Sequence, residues 1–153
     1  MLKFFFVVKN MSIIAKTRLE SKNMTKEKIR IEYILNNISL NILWNSISTP
    51  NGLAEWFADD VAVDGKIYTF KWNGAEQEAE VLVVRTGYFI RFHWLDDDDP
   101  KTYFELKVSP DELTGDVALI ITDYVEHDEK EDHIALWNKQ IEQLKRKAGI
   151  KKS

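Results

Sequence analysis

Four consecutive carboxylates, Asp96-Asp97-Asp98-Asp99, are the densest run of chemically capable side chains in the sequence, and hard cations bind clustered oxygens. Calcium loops, however, space their ligands and usually turn on a glycine, and no D-x-D-x-D-G pattern occurs, so the run reads as a solvated loop tip. The histidines do not make a ligand set: His93 stands apart, and His127 and His133 lie six residues apart, on different faces of a helix. No H-E-x-x-H, nucleophile elbow or G-x-G-x-x-G is present. A general acid or base could come from His93, Tyr68 or Tyr124 inside a pocket, since such chemistry needs only one or two tuned groups. Lys145-Arg146-Lys147, with Lys151 and Lys152, could attract anionic lipid or nucleic acid; a fraying, solvated helix end is the simpler reading. No catalytic residue, metal or cofactor is expected.

The elements that must position these residues follow from periodicity. Lys28 to Leu35 alternates, with Ile29, Ile31, Tyr33 and Leu35 on one side, as a half-buried strand does. Ser39 is a good N-cap for a helix from Leu40 to about Ile47. Thr49 then caps a second helix with Pro50 at its first position and Leu53, Trp56 and Phe57 on its buried face. Strands follow over Val61–Val63, Ile67–Trp72, Gln77–Arg85, Tyr88–Trp94, Thr102–Val108 and Val117–Val125. Asp64-Gly65, Asn73-Gly74 and Thr86-Gly87 supply tight turns, because these residues tolerate positive φ. A long amphipathic helix from Asp128 to Lys147, ending before Gly149, carries Ile134, Trp137, Ile141, Leu144 and Ala148 on one stripe.

A chain of 153 residues fits one domain. The absence of cysteine excludes disulfides and thiolate chemistry and fits a reducing cytoplasm, the expected location. A net charge of -4 argues against nucleic-acid binding, which needs a basic face. The apolar run at residues 1–8 is too short to span a bilayer. Residues 1–23 are expected to be an extension outside the fold, residues 24–149 the domain and 150–153 a tail.

One long helix and two short ones must cover about six or seven strands, so a sheet bent around the long helix need not be filled on its concave side. The expected inward set is Phe70, Trp72, Val81, Val83, Phe104, Leu106 and the Trp137 stripe. The last strand offers Leu119 and Ile121 on one side, Ile120, Thr122 and Tyr124 on the other, and periodicity does not choose. Between Tyr88 and Trp94 the faces are Tyr88/Ile90/Phe92/Trp94 and Phe89/Arg91/His93. If the second were concave, Arg91 and His93 would hold a ligand's polar end; if convex, they are solvated.

Leu43-Trp44, Thr49-Pro50 and Leu53-Ala54-Glu55-Trp56-Phe57, within the order strand, two short helices, six strands and long helix, resemble the helix-grip superfamily. This is the fold of START-type lipid-binding domains and the birch-pollen allergen. The chain is most similar there to the branch named for the activator of the heat-shock protein 90 ATPase, over roughly Lys28 to Ala148. The resemblance implies an α+β fold with a curved antiparallel sheet around the C-terminal helix. Members bind lipids, polyketides, hormones or partner proteins, and some are enzymes, so fold does not transfer function. The leading expectation is a small hydrophobic or amphipathic ligand walled by Trp44, Trp56, Phe70, Trp72, Phe104 and Trp137, with Arg91 or His93 as polar anchors. A chaperone-activator-type interaction module and a cyclase-like or hydrolytic enzyme are the alternatives, and a homodimer is left open.

Overall fold

A computed structural model describes residues 26–152, and the expected extension over residues 1–23 lies outside them. The chain runs β1 (Glu27–Leu35), α1 (Leu40–Ser48), α2 (Pro50–Leu53), β2 (Asp60–Asp64), β3 (Ile67–Trp72), β4 (Ala75–Arg85), β5 (Phe89–Trp94), β6 (Phe104–Pro110), β7 (Val117–Val125) and α3 (Lys130–Lys152). One 3-10 turn, His127–Glu129, leads into α3. The strands form one curved antiparallel sheet in the order β1-β7-β6-β5-β4-β3-β2, with α3 as the long C-terminal helix. This is the expected helix-grip architecture.

Caps decide the helical corner. Ser39 Oγ accepts the Ile42 N–H at 3.1 Å, opening α1. Thr49 serves both helices: its Oγ1 donates to the Asn45 carbonyl at 2.8 Å and accepts from Gly52 N at 2.9 Å. Pro50 sits at the first turn of α2, where a missing N–H costs nothing. The two helices cross so tightly that a Cβ on Gly52 would stand 2.1 Å from the Asn45 carbonyl oxygen. The expected second helix is shorter than its apolar spacing implied. It stops at Leu53, and Trp56 and Phe57 lie in the turns that follow, where Trp56 Nε1 donates to the Ser46 carbonyl at 2.8 Å.

Alternation fixes the sheet. In β5 the buried residues are Ile90, Phe92 and Trp94, and in β6 Phe104, Leu106 and Val108. The face left open in β7 resolves to Leu119 and Ile121, which pair with Val108 and Leu106 and join the core. Val83 departs from its expected inward place. A bulge between Val81 and Val83 shifts the register, so Val83 pairs with Arg91 and is exposed.

The α3 stripe is His133, Trp137, Ile141, Leu144 and Ala148, with Ile134 only half-buried. The helix continues through Gly149 to Lys152, because Gly149 does not take the left-handed conformation of a glycine cap.

Candidate functional site

Between the sheet and α3 the space is lined by stacked and edge-on aromatic rings. Phe57, carried on the turn after α2, has its ring centroid 5.0 Å from Phe70 and 5.7 Å from each of Trp72, Phe104 and Trp137. Phe104 in turn stacks on Phe92 at 4.8 Å and Trp94 at 4.9 Å. Phe57 therefore bridges sheet and helix, in the place where an open concave interior was expected. Its backbone is fastened too, since the Phe57 carbonyl accepts from Trp72 Nε1 at 2.8 Å and from Gln140 Nε2 at 2.9 Å.

Beside this plug lies a cleft of about 590 Å³ between the 54–59 turn and α3. Buried Trp56, Phe57 and Trp72 line its apolar side, and Leu136 and Gln140 come from the helix. Lys139, Arg146 and Lys147, all exposed, give α3's share of the lining three positive charges, against Glu55 and Asp59 from the turn. The helix period accounts for this, because positions 136, 139, 140, 143, 146 and 147 recur at three and four on one flank of α3.

Of the expected wall residues, Phe70, Trp72, Phe104 and Trp137 meet in the aromatic core, Trp56 lines the cleft, and Trp44 packs half-buried against the core from α1. Arg91 and His93 do not belong with them. They alternate with the buried residues of β5 and so stand on the opposite face of the sheet. Arg91 donates from Nε and Nη2 to Glu105 Oε1, at 2.9 and 2.8 Å, and lies 4.1 Å from the centre of the Tyr103 ring. His93 Nδ1 is 2.9 Å from the Thr102 carbonyl, which can only accept, so that nitrogen carries the proton.

A second cluster was missed. Asp123 follows Leu119 and Ile121 on the inward face of β7, and its Oδ2 accepts from Trp137 Nε1 at 3.0 Å, with His133 Nδ1 at 3.9 Å. Burial pushes the Asp123 carboxyl up to about 6 and the His133 imidazole down to about 4. The available signal was a carboxylate in the apolar register of a strand, four residues before the 3-10 turn that leads into α3. Gln77, inward on β4, donates to Asp96 Oδ2 at 2.8 Å, while its buried Oε1 has no protein partner. The acidic loop is self-fastened: Asp97 Oδ2 accepts from Lys26 and Thr102 at 2.9 and 2.7 Å, and Asp99 Oδ1 caps Lys101 N. Among the described residues no three His, Asp or Glu come together to hold a metal ion. No helix of the described residues is long and apolar enough to cross a membrane.

The solution NMR structure of BfR322 from Bacteroides fragilis is 51% identical to this chain, spans 82% of it and 93% of its own length, and superposes with a TM-score of 0.60. The Aha1 dimer from Colwellia psychrerythraea, at 16% identity, shares the fold with a TM-score of 0.69 over 83% of this chain and 99% of its own. MLL2253 from Mesorhizobium loti, also 16% identical, gives 0.62 over 78% and 95%. No curated protein matches the chain. Residues 23–150 match the START-like superfamily domain, and with the helix-grip order observed above the chain belongs to that superfamily.

Proposed function

We propose that the protein is a non-enzymatic, cytoplasmic START-like binding protein for a small hydrophobic or amphipathic ligand, admitted through the cleft beside Phe57. The observation that carries this reading is the cleft's make-up: buried aromatic rings on one side, three exposed cations on the other, in a volume of about 590 Å³. Ligand sites have roughly this size, with apolar walls and a few charged groups for orientation. An anionic head would meet Lys139, Arg146 and Lys147. An apolar tail would follow the Phe57 ring inward, and the ring must swing aside to admit it while the hydrogen bonds to its carbonyl hold the backbone in place. Arg91 and His93 have no part in this site.

Dodecanoate is a suitable probe. Binding to the native state alone should raise the melting temperature with concentration, by about 2.7 kcal/mol of stability at a hundredfold excess over Kd. Leu136→Trp, which fills the cleft from α3, should abolish the response while the protein still folds. An unchanged melting temperature with dodecanoate, decanol and a sterol sulfate would remove the receptor reading.

The alternative of a protein-interaction module draws on a different observation, an exposed apolar cluster at Leu82, Val83, Val84 and Tyr88. The Colwellia Aha1 neighbour is a dimer, and light scattering decides between monomer and dimer for this chain.

A further inference from the structure

β4 outruns the strand beside it. Its pairing with β3 runs from Trp72↔Ala75 to Ile67↔Glu80 and closes with the bond from Val81 N to the Lys66 carbonyl, where the 65–66 turn reverses the chain. Beyond it β4 continues to Arg85, paired among the described residues only with β5, through Val83↔Arg91, Val84↔Ile90 and Arg85↔Phe89. Among the described residues no strand lies on the β3 side of 82–85, which are therefore a free edge inside a seven-stranded sheet. Three of the four side chains are apolar and open to solvent: Leu82, Val83 and Val84 are 46, 42 and 50% exposed, and Tyr88 across the hairpin turn is 59% exposed. Sheet edges are normally blunted by charge, proline or a covering loop. Within these four residues the only charge is Arg85.

We propose that this edge accepts a short extended segment of a partner protein as an added antiparallel strand, carrying apolar residues with an acidic residue at the flank. A second copy is the wrong size. A four-residue ladder stopped by the 65–66 turn falls far short of the roughly 1,000 Å² a stable dimer needs. A peptide needs only these contacts, with main-chain bonds giving affinity and the exposed side chains giving selectivity. Lys66 and Arg85 bracket the edge, and neither is ion-paired within the described residues, so an acidic flank is complementary. None of these residues lines the cleft, so this inference stands apart from the receptor reading.

The test is amide NMR of the full chain titrated with the capped peptide Glu-Val-Thr-Val-Thr-Val-Glu, and with the same peptide N-methylated at alternate residues. Shifts confined to residues 82–85, Tyr88 and Lys66, lost on N-methylation, are expected. Leu82→Lys with Val84→Lys, at exposed positions, should keep the native spectrum and weaken binding by roughly tenfold or more. No shifts at about 1 mM peptide, shifts at the cleft, or indifference to N-methylation or to the lysines would overturn the proposal. So would a dimer of the free chain with 82–85 amides protected, which makes the occupant a second copy.

Discussion

Two parts of the α3 surface meet the rest of the molecule in opposite ways. The part facing the sheet near Asp123 is sealed: His133 and Trp137 are buried there, and Asn138 accepts from the Tyr33 hydroxyl at 2.6 Å. The flank from Leu136 to Lys147 instead faces a solvent-open cleft beside a turn, while Ile141, Leu144 and Ala148 stay in the core. Buried polar groups anchor the helix near Asp123, and beside the cleft Phe57 packs between the sheet and Trp137. On the proposed receptor reading a ligand enters past the turn, where displacement costs ring contacts, and not past Asp123, where it would strand a buried carboxyl.

The largest way to break this contrast is Trp137→Ala. It opens a ring-sized hole next to Phe57 and orphans Asp123 Oδ2, so urea unfolding should show a loss of about 4 kcal/mol. A loss under about 1 kcal/mol means that the sealed end is not sealed.

The pH response of the sealed end is next in size. Asp123 is raised to about 6, so its contribution favours the folded state below about pH 4 and is lost as pH rises through 6. His133 is lowered to about 4, so its contribution is present above about pH 6.5 and lost as pH falls through 4. The two slopes oppose each other in the same window, and the parent protein should be nearly flat there. Asp123→Asn leaves the histidine slope, with stability falling on acidification by up to about 3 kcal/mol; His133→Gln leaves the opposite slope. Melting temperatures between pH 4 and 7 check both, and parallel profiles for the two variants would contradict the pairing.

Gly52→Ala sharpens the open end. Its Cβ would collide with backbone at the α1–α2 crossing that carries the 54–59 turn, so a loss of about 2 kcal/mol is expected from thermal unfolding. Arg91→Ala is the smallest effect, under about 1 kcal/mol by the same method, since its pair with Glu105 is partly solvated. Dodecanoate binding should be unaffected by it.

Element order, caps and turns were legible because each rests on local chemistry: Ser39, Thr49-Pro50 and Asn73-Gly74, the last with φ of 45° and 84°. Period-two alternation also separated the two faces of β5, but naming the concave one required knowing where α3 packs. The end of α2 was misread because Leu53, Trp56 and Phe57 keep helical spacing while the chain already turns. The β4 bulge was invisible, as Val81 to Val84 is an unbroken apolar run without a glycine. Asp123 and His133 lie ten residues apart on different elements, so only tertiary packing pairs them. The packing of Phe57 between sheet and helix is likewise a tertiary fact. A Trp-Phe pair predicts burial, not which ring fills the space under the helix.

The most direct measurement is of intermolecular NMR contacts from perdeuterated protein, with aromatic rings protonated, to unlabelled dodecanoate. Contacts from the methyl end to Phe57 and Trp72, with chemical-shift changes along Leu136, Lys139 and Gln140, are the predicted result. Saturable binding with contacts only on the Arg91/His93 face, or a Phe57 ring whose environment stays unchanged when ligand is bound, would contradict the account.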